Sequence, residues 1–193
     1  AWKDSAVGVE VDHAQATYRG YTPVDSNDTG AVKSWYPRVE MELVTGAVVG
    51  KTYHAYYLES DGTEVDIEER CVDGSASYGD TNSLRTVTRY YPTNEFDFVD
   101  LMEKSIDYSD GRKDSFTYEF GTFTFNPDDP GNSTFTVGDG DCLQKTVVHG
   151  TAEHTNGIAF KTTKEVHVLD SAGQEVMSET YAYTGSGYDR IAW

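Results

Sequence analysis

Ser60-Asp61-Gly62-Thr63 is the segment around which a chemical site can be built. An Asp-Gly pair between two alternating runs marks a two-residue hairpin, and that turn fixes which residues face each other. With Ser60 opposite Thr63, Leu58 faces Val65, Tyr56 faces Ile67 and His54 faces Glu69. On the other face Glu59, Tyr57, Ala55 and Tyr53 meet Glu64, Asp66, Glu68 and Arg70. The first set is the more apolar and is predicted to point inward, taking His54 and Glu69 with it. A carboxylate beside an imidazole favours the imidazolium, whereas desolvation opposes it. Such a pair is a common acid–base arrangement, and Tyr56 stands beside it as a hydrogen-bond donor. His54, Glu69 and Tyr56 are the candidate catalytic residues, with Leu58 and Ile67 as neighbouring ligand contacts. A satisfied His-Glu pair at the rim of a barrel would use the same residues, and a slip of one residue in the turn would send both outward.

A second turn, Asp170-Ser171-Ala172-Gly173, reads as a three-residue connection with Gly173 left-handed. It places His167 opposite Met177, on a face shared with Leu169, Tyr181 and Tyr183. His167, Tyr181 and Tyr183 then line either a pocket or a packed core.

Other chemistries find little support. His13, His149 and His154 have no metal-ligand spacing, and Cys71 and Cys142 lack a CxxC partner, so no metal is predicted. Asp25-x-Asn27-x-Thr29-Gly30 looks like the first half of a Ca²⁺ loop, but Lys33 and Tyr36 fall where later ligands belong. There is no Gly-x-Ser-x-Gly elbow, no phosphate-cradling glycine loop and no dinucleotide fingerprint. These absences argue against a triad hydrolase, a nucleotide enzyme and a nicotinamide oxidoreductase, and no cofactor is predicted.

Short alternating runs separated by Asp, Gly, Pro and Asn predict the elements. Strands are expected near Ala6–Val11, Ala16–Tyr21, Arg38–Leu43, Tyr53–Glu59, Thr63–Val72, Leu84–Tyr91 and Ser115–Phe125. Further ones follow at Thr134–Val137, Leu143–His149, Ile158–Leu169, Glu175–Thr184 and Tyr188–Trp193. Gly121 sits where the phase of the aromatic alternation changes and reads as a bulge or bend. One short helix is expected over Asn94–Ile106, with a strand Phe96–Val99 as the competing reading. The run Ile158–Leu169 would span about 40 Å at ~3.3 Å per residue, which suits a tilted barrel wall. The expectation is all-β: a single domain over residues 1–193, an antiparallel barrel of about eight to ten strands, with a β-sandwich or jelly roll as the alternative. In outline the barrel resembles the calycin group, and Tyr188-Asp189-Arg190 is similar to that group's last strand. The resemblance covers architecture only, because the Gly-x-Trp signature of lipocalins is missing: Gly30 and Trp35 stand five residues apart.

With 33 acidic and 15 basic residues the net charge is −18. Such a surface repels phosphate backbones and anionic bilayers, so neither nucleic acid nor a membrane surface is an expected partner. It suits solubility in a salty or acidic medium, or recruitment of a cationic partner. No run approaches the ~18 apolar residues of a membrane span. Cys71 and Cys142, if paired, close a loop of about 70 residues worth about 4 kcal/mol. Together with the sequons Asn27-Asp28-Thr29 and Asn132-Ser133-Thr134, they favour a glycoprotein secreted or held in an oxidising compartment outside the cytosol. The 14 Tyr, 8 Phe and 3 Trp suggest either half-buried strand surfaces or a pocket with polar tips. The leading expectation is a binder of a small apolar or amphipathic molecule. Alternatives are a cofactor-independent isomerase, cyclase or lyase using His54, Glu69 and Tyr56, and a surface module binding carbohydrate or protein. The oligomeric state is not encoded in any feature of the sequence.

Overall fold

Antiparallel pairing accounts for nearly all the regular structure. The computed structural model describes residues 15–93, 101–151 and 161–193. The chain divides into two compact units, residues 1–95 and 96–193. In the first, β1 (Gln15–Gly20), β2 (Val39–Val44), β3 (Ala47–Leu58), β4 (Glu64–Arg70) and β5 (Leu84–Tyr90) form a meander in chain order. β4 shows why: in Glu-Val-Asp-Ile-Glu-Glu, burial alternates strictly, so Val65, Ile67 and Glu69 face inward while Glu64, Asp66 and Glu68 face out. Ala55, Val65 and Ile67 form the core of this face, covered by Tyr57, Tyr78 and Val87.

The second unit contains β6 (Glu103–Tyr108), β7 (Arg112–Thr124), β8 (Thr134–Val137), β9 (Cys142–Thr151), β10 (Lys161–Leu169), β11 (Glu175–Tyr183) and β12 (Tyr188–Ala192). The order is β6-β7-β9-β10-β11-β12, with β8 joined to β7. Its core gathers Cys142, Val166, Val168 and Met177 under Phe123, Phe135 and Tyr181. Gly121 is paired on both edges, to Cys142 of β9 and to Val137 of β8. The phase change expected there is the point where β7 passes from one neighbour to the other. A methyl group on Gly121 would lie 2.2 Å from the Thr136 carbonyl oxygen.

Several expectations are corrected. Among the described residues no pairing joins β1 to β5 or β6 to β12, so neither meander closes into a barrel. Glu103–Tyr108, assigned in part to a helix, is strand β6, and the described residues contain no α-helix. Ser105 is buried and pairs with Ser115, so tertiary pairing overrides the local helical spacing there. Cys71 and Cys142 are both free. Cys142 packs among Val166, Val168 and Met177, while Cys71 lies near Ser83 and burial pushes its thiol up. The strand at 6–11, His13, His154, the segment 94–100 and the start of the run at 158–160 lie outside the described residues. Among the described residues no helix is long and apolar enough to cross a membrane.

Candidate functional site

The first hairpin starts its turn one residue earlier than the Asp-Gly signal predicts. Glu59 donates its N–H to the Thr63 carbonyl at 2.8 Å, and Gly62 donates to the Glu59 carbonyl at 3.0 Å. Ser60, Asp61 and Gly62 therefore form a three-residue loop, with Gly62 left-handed at φ +87 and Asp61 accepting the Thr63 N–H at 2.9 Å. The register moves with it: Tyr53 pairs with Glu69, His54 with Glu68, Tyr56 with Asp66 and Leu58 with Glu64. His54 and Glu69 thus lie on opposite faces of the sheet, which corrects their expected contact.

Glu69 is 1% exposed on the core face. One of its oxygens accepts the Gly79 N–H at 2.8 Å, and Arg85 Nη1 lies 3.7 Å from the other. Its work is to hold the loop between β4 and β5 onto the sheet. Ile67 belongs to the same core, and Leu58 is exposed at the end of β3.

His54 and Tyr56 point to the other face, into an open cleft of about 590 Å³. Its floor is β2–β5, contributing Glu40, Asp66, Glu68, Thr86, Thr88 and Tyr90. Its wall comes from the segment between β1 and β2, which brings in Tyr21, Trp35, Tyr36 and Pro37. That segment, residues 21–38, has no regular structure, yet it is tightly organised. Arg38, 1% exposed, donates through Nε to Asp28 Oδ2 at 2.7 Å and through Nη2 to Asp28 Oδ1 at 3.2 Å. Its remaining hydrogens reach the carbonyls of Val32 at 2.7 Å, Lys33 at 2.8 Å and Tyr36 at 2.7 Å. Asp28 also accepts the N–H groups of Gly30 at 2.8 Å and Tyr56 at 3.1 Å. Burial pushes the Asp28 carboxyl up, but the Arg38 and backbone hydrogen bonds outweigh it and hold the group below the ordinary carboxylate range.

Lys33 takes a left-handed φ of +45, uncommon for a side chain of its size. Its ammonium sits 2.6 Å from Asp66 and 2.7 Å from Glu64, and 5.5 and 5.2 Å from the ring centres of Tyr56 and Tyr90. Burial raises Asp66 above the ordinary value despite Lys33, and its Oδ1 is buried without a hydrogen-bond partner. His54 Nε2 is also buried without such a partner, 3.6 Å from Glu40 Oε2. Its ring stacks on Tyr56 at 6.2 Å with an interplanar angle of 3°. Burial, reinforced by Asp66, pushes the Tyr56 hydroxyl up to about 12, so it stays protonated at neutral pH. The cleft therefore has, just beneath its surface, an imidazole nitrogen and a carboxylate oxygen that make no hydrogen bond, with a neutral phenol and exposed aromatic rings beside them.

In the second unit the turn follows expectation but the strand beyond it does not. Gly173 is left-handed at φ +76, and Asp170 pairs with Gln174 around a three-residue loop. A bulge at Val176 then shifts the ladder, so His167 faces Ser178 and Met177 faces Val168. His167 and Tyr181 lie on opposite faces. Tyr181 packs on the core and donates to Glu179 at 2.5 Å; burial and that carboxylate push it up to about 12. Tyr183 is partly exposed and donates to the Gly185 carbonyl at 2.8 Å. His167 instead joins a line of charged groups. Asp114 lies 2.7 Å from His149, whose other nitrogen is 3.8 Å from Glu165; His167 is 3.4 Å from Glu165 and 2.7 Å from Glu175. Both nitrogens of each ring have carboxylate neighbours, as His54 Nε2 has in Glu40.

The sequence reading missed Trp35, Tyr36, Glu40 and Asp66. The adjacent Trp35-Tyr36 pair within a long polar segment was the available signal. The Ca²⁺-like motif is used internally: Asp25 accepts from the Asn27 N–H at 2.8 Å and the Tyr78 hydroxyl at 2.7 Å. Among the described residues no group of three or more His, Cys, Asp or Glu is arranged to hold a metal ion. Compared with known proteins, the chain matches no family model, no curated protein and no solved structure.

Proposed function

We propose that the first unit is a binding module for a small amphipathic molecule, taken up in the cleft above β2–β5. The observation that carries this is the pairing of exposed aromatic rings, Trp35 at 76% and Tyr36 at 46%, with two buried polar atoms that make no hydrogen bond, His54 Nε2 and Asp66 Oδ1. Apolar faces with a few convergent polar groups are what small-molecule sites provide. A closed barrel lumen is not required, because the cleft lies on a sheet face. The sequons, whose Asn27 and Asn132 are exposed, support a glycoprotein outside the cytosol. The test is displaceable uptake of a fluorescent apolar probe by the intact protein, compared with Trp35→Ala. Uptake that Trp35→Ala weakens is expected; no uptake, or uptake indifferent to Trp35, contradicts the reading.

A second reading, acid–base catalysis without a cofactor, is favoured by His54 alone. Its Nε2 faces Glu40 across 3.6 Å, close enough for the imidazole to hold a proton for a bound substrate. Tyr56 would serve as a donor, and Glu40 or Asp66 takes the place first assigned to Glu69. On this reading His54→Ala abolishes turnover even at saturating ligand, beyond any weakening of uptake, while Glu69→Gln in a folded protein changes neither.

A further inference from the structure

We propose that the ligand of this cleft is a neutral saccharide chain. The inference rests on the binding reading above and narrows it to a chemical class. Three features of the site point the same way.

The first is shape. A second hollow of about 480 Å³ continues across the same face of β1–β4 and shares Arg19 and Glu40 with the cleft. The combined space is long and open, whereas sites for compact apolar molecules enclose most of the ligand's surface. An extended oligomer fits such a trough along its length.

The second is the mixture of donors and acceptors. Asp66 Oδ1 can only accept while ionised, whereas His54 Nε2 donates or accepts according to its tautomer. Both atoms lie buried just below the cleft surface, where a hydroxyl group reaching between the side chains would supply the missing hydrogen bond and an apolar molecule would not. Threonines extend the polar surface, with Thr86 and Thr88 in the cleft and Thr17 and Thr52 in its continuation. The aromatic rings at the Trp35 end offer flat apolar surface to the C–H face of a sugar ring.

The third is charge. The cations lining the trough are Arg19, held by Glu40 at 2.8 Å, Arg70, held by Glu68 at 2.8 Å, and Lys51, which donates to the Ala76 carbonyl at 2.9 Å; Glu40, Glu42, Asp66 and Glu68 line it too, and nearby Lys33 is matched by Asp66 and Glu64. No excess of positive charge is left to draw a uronate or a sulfated chain, and the net charge of −18 repels both. A cationic ligand would have to compete with Lys33 for the same carboxylates.

The experiment is isothermal titration of the intact protein with cellohexaose, xylohexaose, mannohexaose and hexagalacturonate, alongside the apolar probe. At least one neutral hexaose is expected to bind about tenfold more tightly than its monosaccharide, and Trp35→Ala to weaken it about tenfold. Because Trp35 is exposed, that variant keeps the fold, which circular dichroism checks. Uptake of the probe with no neutral hexaose bound overturns the saccharide inference and leaves the binding reading standing. Neither bound removes both. Preference for hexagalacturonate over every neutral chain also overturns the inference.

Discussion

Arg38 and Asp28 determine where the cleft wall stands, although neither touches its open space. The pair is buried, and the guanidinium is the hub of the segment that carries Trp35 and Tyr36. Removing one partner strands a charge in low dielectric, which costs far more than the pair itself contributes. Arg38→Ala is therefore expected to destabilise the first unit by about 3–5 kcal/mol in urea denaturation. A loss under 1 kcal/mol, on the order of an exposed pair, would contradict that assignment. Asp28 also predicts an acid dependence. Its carboxyl is held below the ordinary 3.8 in the fold, so its contribution is complete above that value and is lost as pH falls through the lower folded value. Asp66 works in the opposite sense, since its raised carboxyl favours the fold at low pH and less so as pH rises through its folded value. In Asp28→Asn the acid limb of the stability profile should flatten, and an unchanged limb would assign it to other carboxylates.

Turns and bulges decided which side chains reach the cleft. Strand positions were readable because β-branched and aromatic residues alternate with charged ones between Gly- and Asp-rich breaks. β8 and most of β4, β5, β9, β11 and β12 lie where that pattern puts them. Register was not readable. A three-residue loop replaced the expected two-residue turn at Ser60-Asp61-Gly62, and a bulge at Val176 followed a correctly read turn. Each shifts the pairing by one residue, and one residue exchanges the faces. Val65 and Ile67 point inward as expected, but with Tyr53 and Tyr57 rather than with His54, and Ile67, expected as a ligand contact, packs in the core. The register has a direct check in cross-strand nuclear Overhauser contacts, which should link Tyr53 to Glu69 and His54 to Glu68. Contacts between His54 and Glu69 would restore the two-residue turn. Gly121 gives a second test, because its two-sided pairing leaves no room for a Cβ. Gly121→Ala is expected to destabilise the second unit by about 1–3 kcal/mol in thermal or urea unfolding. A neutral effect would mean that β7 does not pass from β9 to β8 there.

The acidity of the entire chain acts on both units. A net charge of −18 opposes any compact state, and salt screens that repulsion, shortening its range to about 3 Å near 1 M. Raising sodium chloride to about 1 M should therefore increase the unfolding midpoint, where a chain of balanced charge would respond little. Composition established the acidity and the alternating runs the all-β class, but neither gave a hint that two free cysteines would serve separate local environments. Each adjoins its own neighbours, Ser83 for Cys71 and the Val166–Met177 core for Cys142. The central claim is that the first unit binds its ligand between Trp35, His54 and Asp66. Amide and side-chain shift mapping during titration with a neutral hexaose or the apolar probe tests it most directly. Perturbations should concentrate at Trp35, Tyr36, Glu40, His54, Asp66 and Thr88 and leave Glu69, His167 and Tyr181 in place. Shifts centred on His167, Tyr181 and Tyr183, or no shifts with either compound, would contradict it.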